Sequence, residues 1–173
     1  RPNIPQIPGL ESFTGTMFHS AAWDHEHVLS GERVAVIGIG ASAIQFVPQV
    51  AAKAATVTLF QRSVNYVAPK PDRAFKRWEL SALRHIPGVR QAYRSSIYWR
   101  FEFRFRLMKK GSRLGAVLQK KFREQVSQLA SPQLPLEAIV PDYTPGCRRI
   151  LIANDWYPTL LKPTTRVVTE GIA

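Results

Sequence analysis

The chain of 173 residues has one cysteine, Cys147, so no disulfide can close within it, and a scaffold of small disulfide-linked loops is excluded. That thiol reads as incidental, because no histidine pairing that would activate it is suggested nearby. The cysteine usage fits a reducing cytoplasm, which is the expected location. No stretch approaches about 18 uncharged apolar residues, so a membrane-spanning helix is excluded. The opening Arg1-Pro2-Asn3-Ile4-Pro5 lacks an initiator methionine, an apolar signal core and any targeting pattern. It is expected to be the interior of a longer protein. Repeats and low-complexity tracts are missing too. Acidic residues are scarce, 12 against 24 Lys and Arg, giving a formal charge of +12, but the shortage is local. Between Arg73 and Arg123 fifteen basic residues face only Glu79 and Glu102, while the remainder is close to neutral. Hydrophobic residues at 45% leave enough material for a sizeable core.

What is present divides into four stretches. Residues 1–31 carry Pro2, Pro5 and a Pro8-Gly9 turn and then a mixed aromatic, histidine and acidic run, which together predict a linker. Residues 32–71 begin with Arg33–Ile37, β-branched and apolar without alternation, as suits a strand covered on both faces. A glycine-rich turn, an Ala- and Gln-rich helix over 41–54 and a second strand, Thr56–Phe60, complete a strand–turn–helix–strand unit, the outline of a βαβ crossover. Residues 72–131 are basic and read as mostly helical, broken at Pro87-Gly88. Trp99, Phe101, Phe103, Phe105 and Leu107 alternate there with charged residues, a period of two that belongs to strands. Residues 132–173 return through prolines to a short strand at Arg149–Ile152, a polar-aromatic loop over Asn154–Pro158, and the start of another strand at Val167–Thr169.

Gly38-Ile39-Gly40-Ala41-Ser42-Ala43 is a G-x-G-x-x-A loop between strand and helix. The first glycine permits the tight turn, the second lets backbone approach a pyrophosphate, and the small Ala43 lets helix and strand pack closely. The helix beginning at Ser42 and continuing through Gln45 offers N–H groups and a positive dipole end to phosphates. At the end of the second strand an NAD site places a carboxylate for the ribose 2′-hydroxyl. Here Gln61-Arg62-Ser63 stand instead. A carboxylate would repel a 2′-phosphate, whereas a guanidinium pairs with it and a hydroxyl donates to it. NADP(H) is the expected dinucleotide, with Gly38, Gly40, Ala43, Arg62 and Ser63 as its binding residues.

Upstream, Phe13-Thr14-Gly15-Thr16-Met17-Phe18-His19-Ser20-Ala21-Ala22-Trp23-Asp24 fits F-x-G-x-x-x-H-x-x-x-W-D. This strongly resembles the fingerprint of Baeyer–Villiger monooxygenases, flavoproteins that use NADPH and FAD, and the glycine loop follows it as in that family. The resemblance extends over Ser42–Gln45, which adds Ser42 and Gln45 to the expected NADP-binding residues, and over Phe60–Ser63, Pro69–Arg73, Gly146–Leu151 and Asn154–Pro158. It implies a Rossmann-like α/β NADP-binding domain, part of a flavoprotein with two dinucleotide-binding domains, with a mainly helical insertion. It implies that Phe13, Gly15, His19, Trp23 and Asp24 serve coupling between domains and that Arg148 reaches the NADP 2′-phosphate. Arg149 corresponds to the active-site arginine beside the flavin, where it stabilises negative charge developing in the reaction. The implied activity is insertion of one oxygen atom of O2 next to a ketone carbonyl, the ketone being the small-molecule partner.

Nothing in the sequence resembles the first, FAD-holding glycine loop of that family, so flavin use is implied by kinship alone. A related flavin monooxygenase acting on nitrogen or sulfur is the nearest enzymatic alternative, and Trp23-Asp24 argues against it. Metal binding by His19, His25 and His27 is not expected, given their spacing and the absence of a partnering cysteine. The aromatic, arginine-rich segment suggests three uses. One is a nucleic-acid platform, which is not expected. Another is a weak peripheral membrane contact through residues 93–110. The third, preferred here, is a helical insertion whose aromatics pack on the nucleotide domain and leave the arginines solvated.

Overall fold

The computed structural model describes residues 4–107 and 113–172. Strand β1 (Arg33–Ile37), helix α1 (Ala43–Val50) and strand β2 (Thr56–Phe60) follow one another as the sequence pattern predicts. The two strands are parallel, with Val34 opposite Val57 and Val36 opposite Leu59. A later strand adds to the far side of β2, so the sheet has three parallel strands with β2 in the middle. In α1 the residues Ala43, Ile44, Val47, Pro48 and Val50 are buried, while Gln45 and Gln49 face water. That spacing makes one apolar face, which lies on the sheet. Pro48 donates no backbone hydrogen bond. The helix ends two residues later, with the Ala51 N–H closing on the Val47 carbonyl at 2.8 Å. It is shorter than the stretch to Ala54 that composition predicts.

Leu59, Val47 and Val57 are essentially sealed from water at the centre of this packing, each worth about 1.5–3 kcal/mol of burial. The expectation that β1 is covered on both faces is not met among the described residues. Val36 is buried under α1, but Ala35 and Ile37 on the opposite face are exposed.

After β2 the chain forms β3 (Val67–Ala68) and leaves for three helices: α2 (Arg77–His85), α3 (Val89–Leu107) and α4 (Arg113–Ser127). It comes back as β4 (Leu151–Ile152), which pairs in parallel with β3 in a separate two-stranded sheet. The Asn154 side chain fastens this point, accepting from the Lys70 N–H at 2.8 Å and donating to the Lys70 carbonyl at 3.2 Å. Helix α5 (Trp156–Leu160) stands where the sequence suggested a loop. Pro158 is tolerated because it lies in the first turn, where no N–H is needed. Trp156, Thr159 and Leu160 are buried. Strand β5 (Thr165–Val168) then pairs with β2, Val167 opposite Leu59.

The helical excursion is itself divided. The C-terminal half of α4 belongs to the core: Val126 is buried, Phe122 packs on Tyr66 at 4.9 Å between ring centroids, and Leu134, Ala138 and Ile139 follow. Helix α2 buries no residue. In α3, Tyr98, Trp99, Phe101 and Phe103 are 55–66% exposed, which corrects the expectation that these aromatics pack on the nucleotide unit. The cause is geometric: on a helix, residues two apart lie about 200° apart around the axis, so aromatics at period two surround α3 instead of forming one face. The side chains of Phe105 and Leu107, and residues 108–110 of the suggested membrane contact, lie outside what the structure describes. No described helix is long and apolar enough to cross a membrane.

Candidate functional site

The carboxyl ends of β1 and β2 lie side by side, Ile37 opposite Phe60, and the Gly38 N–H donates to the Phe60 carbonyl at 2.8 Å. The glycine loop and the segment Gln61–Ser63 therefore leave the sheet at one edge, the usual ligand position in an open parallel sheet. Gly38 has φ +96°, a backbone conformation that side-chain-bearing residues rarely adopt. A Cβ at Gly38 or Gly40 would meet nothing within 4 Å, so the loop's outer side is open space. The N–H groups of Gly40, Ala41, Ser42 and Ala43 have no acceptor among the described residues, while the Ile44 N–H already bonds the Gly40 carbonyl at 3.2 Å. Ser42 and Gln45 are exposed beside them, and Ala43, buried, seats the helix on the sheet. Unpaired N–H groups at a helix start, beside two glycines with open space around them, fit an anionic pyrophosphate.

At the end of β2 the side chains sort by direction. Gln61 is buried and donates through Nε2 to the Ala138 carbonyl at 2.6 Å, so it is structural. Arg62 points outward, exposed and without a hydrogen bond or ion pair among the described residues. Arg148 donates from Nη1 to the Ser63 hydroxyl at 2.9 Å, across 85 positions of sequence. Its guanidinium also lies over the Tyr143 ring, 4.8 Å from the centroid. The structure thus brings together Arg148 and Ser63, next to Arg62. Two residues the sequence reading missed complete the group. The Tyr143 hydroxyl donates to Asn65 Oδ1 over a long 3.4 Å, and Asn65 Nδ2 donates to the Ile39 carbonyl, inside the glycine loop, at 2.8 Å. No local pattern could have marked them, because their contacts join distant parts of the chain.

The fingerprint residues act on their own segment and on α1. Trp23 packs edge-on against Phe18 at 5.1 Å and against Phe46 of α1 at 5.3 Å, so it pins the linker to the nucleotide unit. His19 Nδ1 accepts the Ala21 N–H at 3.0 Å and Asp24 Oδ1 accepts the Glu26 N–H at 3.1 Å, each fixing a turn. A Cβ on Gly15 would fall 2.5 Å from the Phe13 ring, which is itself exposed. His27 pairs with Glu32 at 2.8 Å. Among the described residues no group of three or more His, Cys, Asp or Glu could hold a metal ion. Arg149 is exposed just before β4 and has no partner among the described residues; the structure does not join it to the glycine loop. A groove of about 420 Å3 between Arg73, Phe75, Tyr93, Ile97, Arg100 and Phe101 belongs to the helical excursion and contains none of these residues.

Residues 1–84 match the flavin-binding monooxygenase-like family. Over 99% of its length the chain is similar to a Baeyer–Villiger monooxygenase of Pseudomonas aeruginosa, 41% identical across 178 residues and covering 32% of that protein. A Baeyer–Villiger monooxygenase of Streptomyces coelicolor is 40% identical over 173 residues, again 99% of this chain and 33% of the relative. The chain therefore spans about a third of the length of the curated relatives it matches. Its fold is shared with an oxidized steroid monooxygenase bound to NADP, with a TM-score of 0.76 at 22% identity, over 96% of this chain and 38% of that one. It is also shared with a cyclohexanone monooxygenase from Rhodococcus sp. Phi1 bound to NADP+, TM-score 0.74 at 20% identity and the same coverage. The architecture is accordingly a Rossmann-like α/β unit, and the chain belongs to the Baeyer–Villiger group of the flavin-binding monooxygenase-like family.

Proposed function

We propose that the strand-end site binds NADPH and that the protein in its full natural length is an FAD-dependent monooxygenase, inserting one oxygen atom of O2 beside a ketone carbonyl to give an ester or lactone. The observation that carries the dinucleotide is the Arg148–Ser63 contact at the end of β2, beside Arg62, where an NAD site would hold a carboxylate. Two guanidinium groups and a hydroxyl match a 2′-phosphate in charge and in donor geometry. Gly38 and Gly40 leave room for the pyrophosphate, and the N–H groups of residues 40–43, without acceptors among the described residues, are available to it at the start of α1. When bound, the nicotinamide supplies hydride and the flavin supplies oxygen activation. The named relatives of Pseudomonas and Streptomyces support the Baeyer–Villiger outcome.

Arg149, exposed and unpaired among the described residues, is assigned to stabilising negative charge on the attacked carbonyl oxygen, where a fixed cation in a water-poor site is most effective. The test is ketone-dependent NADPH oxidation with identification of the product. Arg62→Ala is expected to raise the NADPH requirement by about tenfold or more while barely moving that for NADH. An equal effect on both coenzymes would overturn the assignment of Arg62. Arg149→Ala is expected to keep NADPH-dependent flavin reduction and lose ester formation; undiminished ester yield removes its role. No ester from ketones, with N-oxide or sulfoxide formed when an amine or a sulfide is offered instead, would move the protein to the related branch acting on nitrogen or sulfur.

A further inference from the structure

We infer that Tyr143 and Asn65 are positioning residues that hold Arg148 in readiness for the 2′-phosphate and tie that clamp to the pyrophosphate loop; the inference rests on the NADPH reading above. Arg148 is solvent-exposed, and a free arginine on a surface surrenders considerable rotamer freedom when it grips a ligand. This one is already held from two directions. It donates to Ser63 Oγ at 2.9 Å, and its guanidinium carbon lies over the Tyr143 ring, 4.8 Å from the centroid. A guanidinium held over an aromatic ring still has N–H donors to spare for phosphate oxygens, because it carries five of them. Ser63 accepts from Arg148, so its own hydroxyl proton stays free to donate to the same phosphate.

Tyr143 is a rigid platform because it is fastened at three points. Its carbonyl accepts the Tyr66 hydroxyl at 2.7 Å, its ring meets the Tyr66 ring edge-on at 5.3 Å, and its hydroxyl reaches Asn65. Tyr66 in turn is buried against Phe122. Asn65 then passes the connection to the Ile39 carbonyl at 2.8 Å, between Gly38 and Gly40. Arg148, Tyr143, Asn65 and Ile39 form a continuous series from one phosphate subsite to the other. The hydroxyl link at 3.4 Å is long and weak, so the ring face of Tyr143 carries the positioning of Arg148, and Asn65 chiefly fixes the glycine loop. The two residues therefore have separable effects: Tyr143 governs discrimination for the 2′-phosphate, and Asn65 governs affinity for either nucleotide.

The experiment is calorimetric titration of the protein in its full natural length with adenosine 2′,5′-bisphosphate and, separately, adenosine 5′-monophosphate, and it needs no turnover. Tyr143→Leu is expected to lower the preference for the bisphosphate roughly three- to tenfold, all of it through the bisphosphate arm. Tyr143→Phe, which keeps the ring, should retain the preference within about twofold. Asn65→Ala should weaken both ligands by a similar factor. Equal weakening of both ligands by Tyr143→Leu, or no change in preference, overturns the positioning role. If Tyr143→Leu does not fold, Tyr143→Met replaces it, keeping bulk at the position and losing the aromatic face. The same fall in preference is expected there, and an unchanged preference overturns the inference. A wild-type protein with no preference for the bisphosphate refutes the NADPH reading before any variant is made, and this inference with it.

Discussion

Five of the eight residues of α1 are buried, whereas α2 buries none and α3 leaves Tyr98, Trp99, Phe101 and Phe103 more than half exposed. Both regions are helical and both contain large apolar side chains. They differ in the period of those side chains. In α1 the apolar positions recur three and four residues apart, so they share one face and the sheet covers it. In α3 they recur every second residue, which on a helix distributes them around the axis, so no single neighbour can cover them. Composition decided that both segments are helices; spacing decided which one is sealed in the core.

The sharpest way to break that comparison is to remove a side chain from the sealed side. Leu59, fully buried in β2 between β1 and β5, belongs to the apolar core. Leu59→Ala is expected to cost about 2–5 kcal/mol, read as a fall in the denaturant midpoint with an unchanged slope. A loss under about 1 kcal/mol would mean that the sheet does not form the centre of the fold.

The same contrast explains what the sequence could tell. β1, the glycine loop, α1 and β2 were legible because each depends on neighbours a few residues away, through apolar spacing and a turn that needs Gly38. β5 shows in the sequence only at its end, Val167-Val168; it begins two residues earlier, at Thr165, and stops before Thr169. The pairing of β3 with β4 was not, because two-residue strands carry no period and meet only when the chain returns from the helices. Helix α5 looks like a loop in the sequence, since Pro158 and Asn154-Asp155 are turn residues, yet Pro158 falls in the first turn, the part of a helix that accepts it. In the candidate site Arg62 and Ser63 could be read from their position after a strand. The amide beneath Ile39 could not, because Tyr143–Asn65 and Asn65–Ile39 are contacts across 78 and 26 residues; the ring near Arg148 is only five residues away, but that stretch of chain has no regular period to bring the two together.

A smaller effect is expected at the start of α2, where stability is local. Glu79 accepts the Lys76 N–H at 2.7 Å and pairs with Arg73, closing the first turn of the helix. The Arg73 guanidinium, aided by the Lys76 N–H, holds the Glu79 carboxyl down at about 2, below the ordinary value of 4.5. With the folded value lower than the unfolded one, the contribution is complete above the ordinary carboxylate range and disappears as pH falls through about 2. A carboxyl-carbon NMR titration should find Glu79 titrating near that value, with the amides of residues 77–80 shifting in step and those of β2 unmoved. A midpoint at the ordinary carboxylate value would show that the clamp does not persist in solution.

The smallest effect belongs to Trp99. A tryptophan is the largest side chain available, and in a core its truncation costs about 3–5 kcal/mol. Here it is 61% exposed, and its ring contact is edge-on with the equally exposed Tyr98 at 5.5 Å. Trp99→Ala should therefore change the unfolding free energy by no more than about 0.5 kcal/mol, since alanine's better helix propensity offsets part of the lost contact. Measured beside Leu59→Ala under the same conditions, the pair turns the comparison into a ratio. A cost for Trp99→Ala that approached the Leu59 value would show α3 seated against something in solution. The division between a sealed nucleotide unit and an open helical excursion would then have to be abandoned.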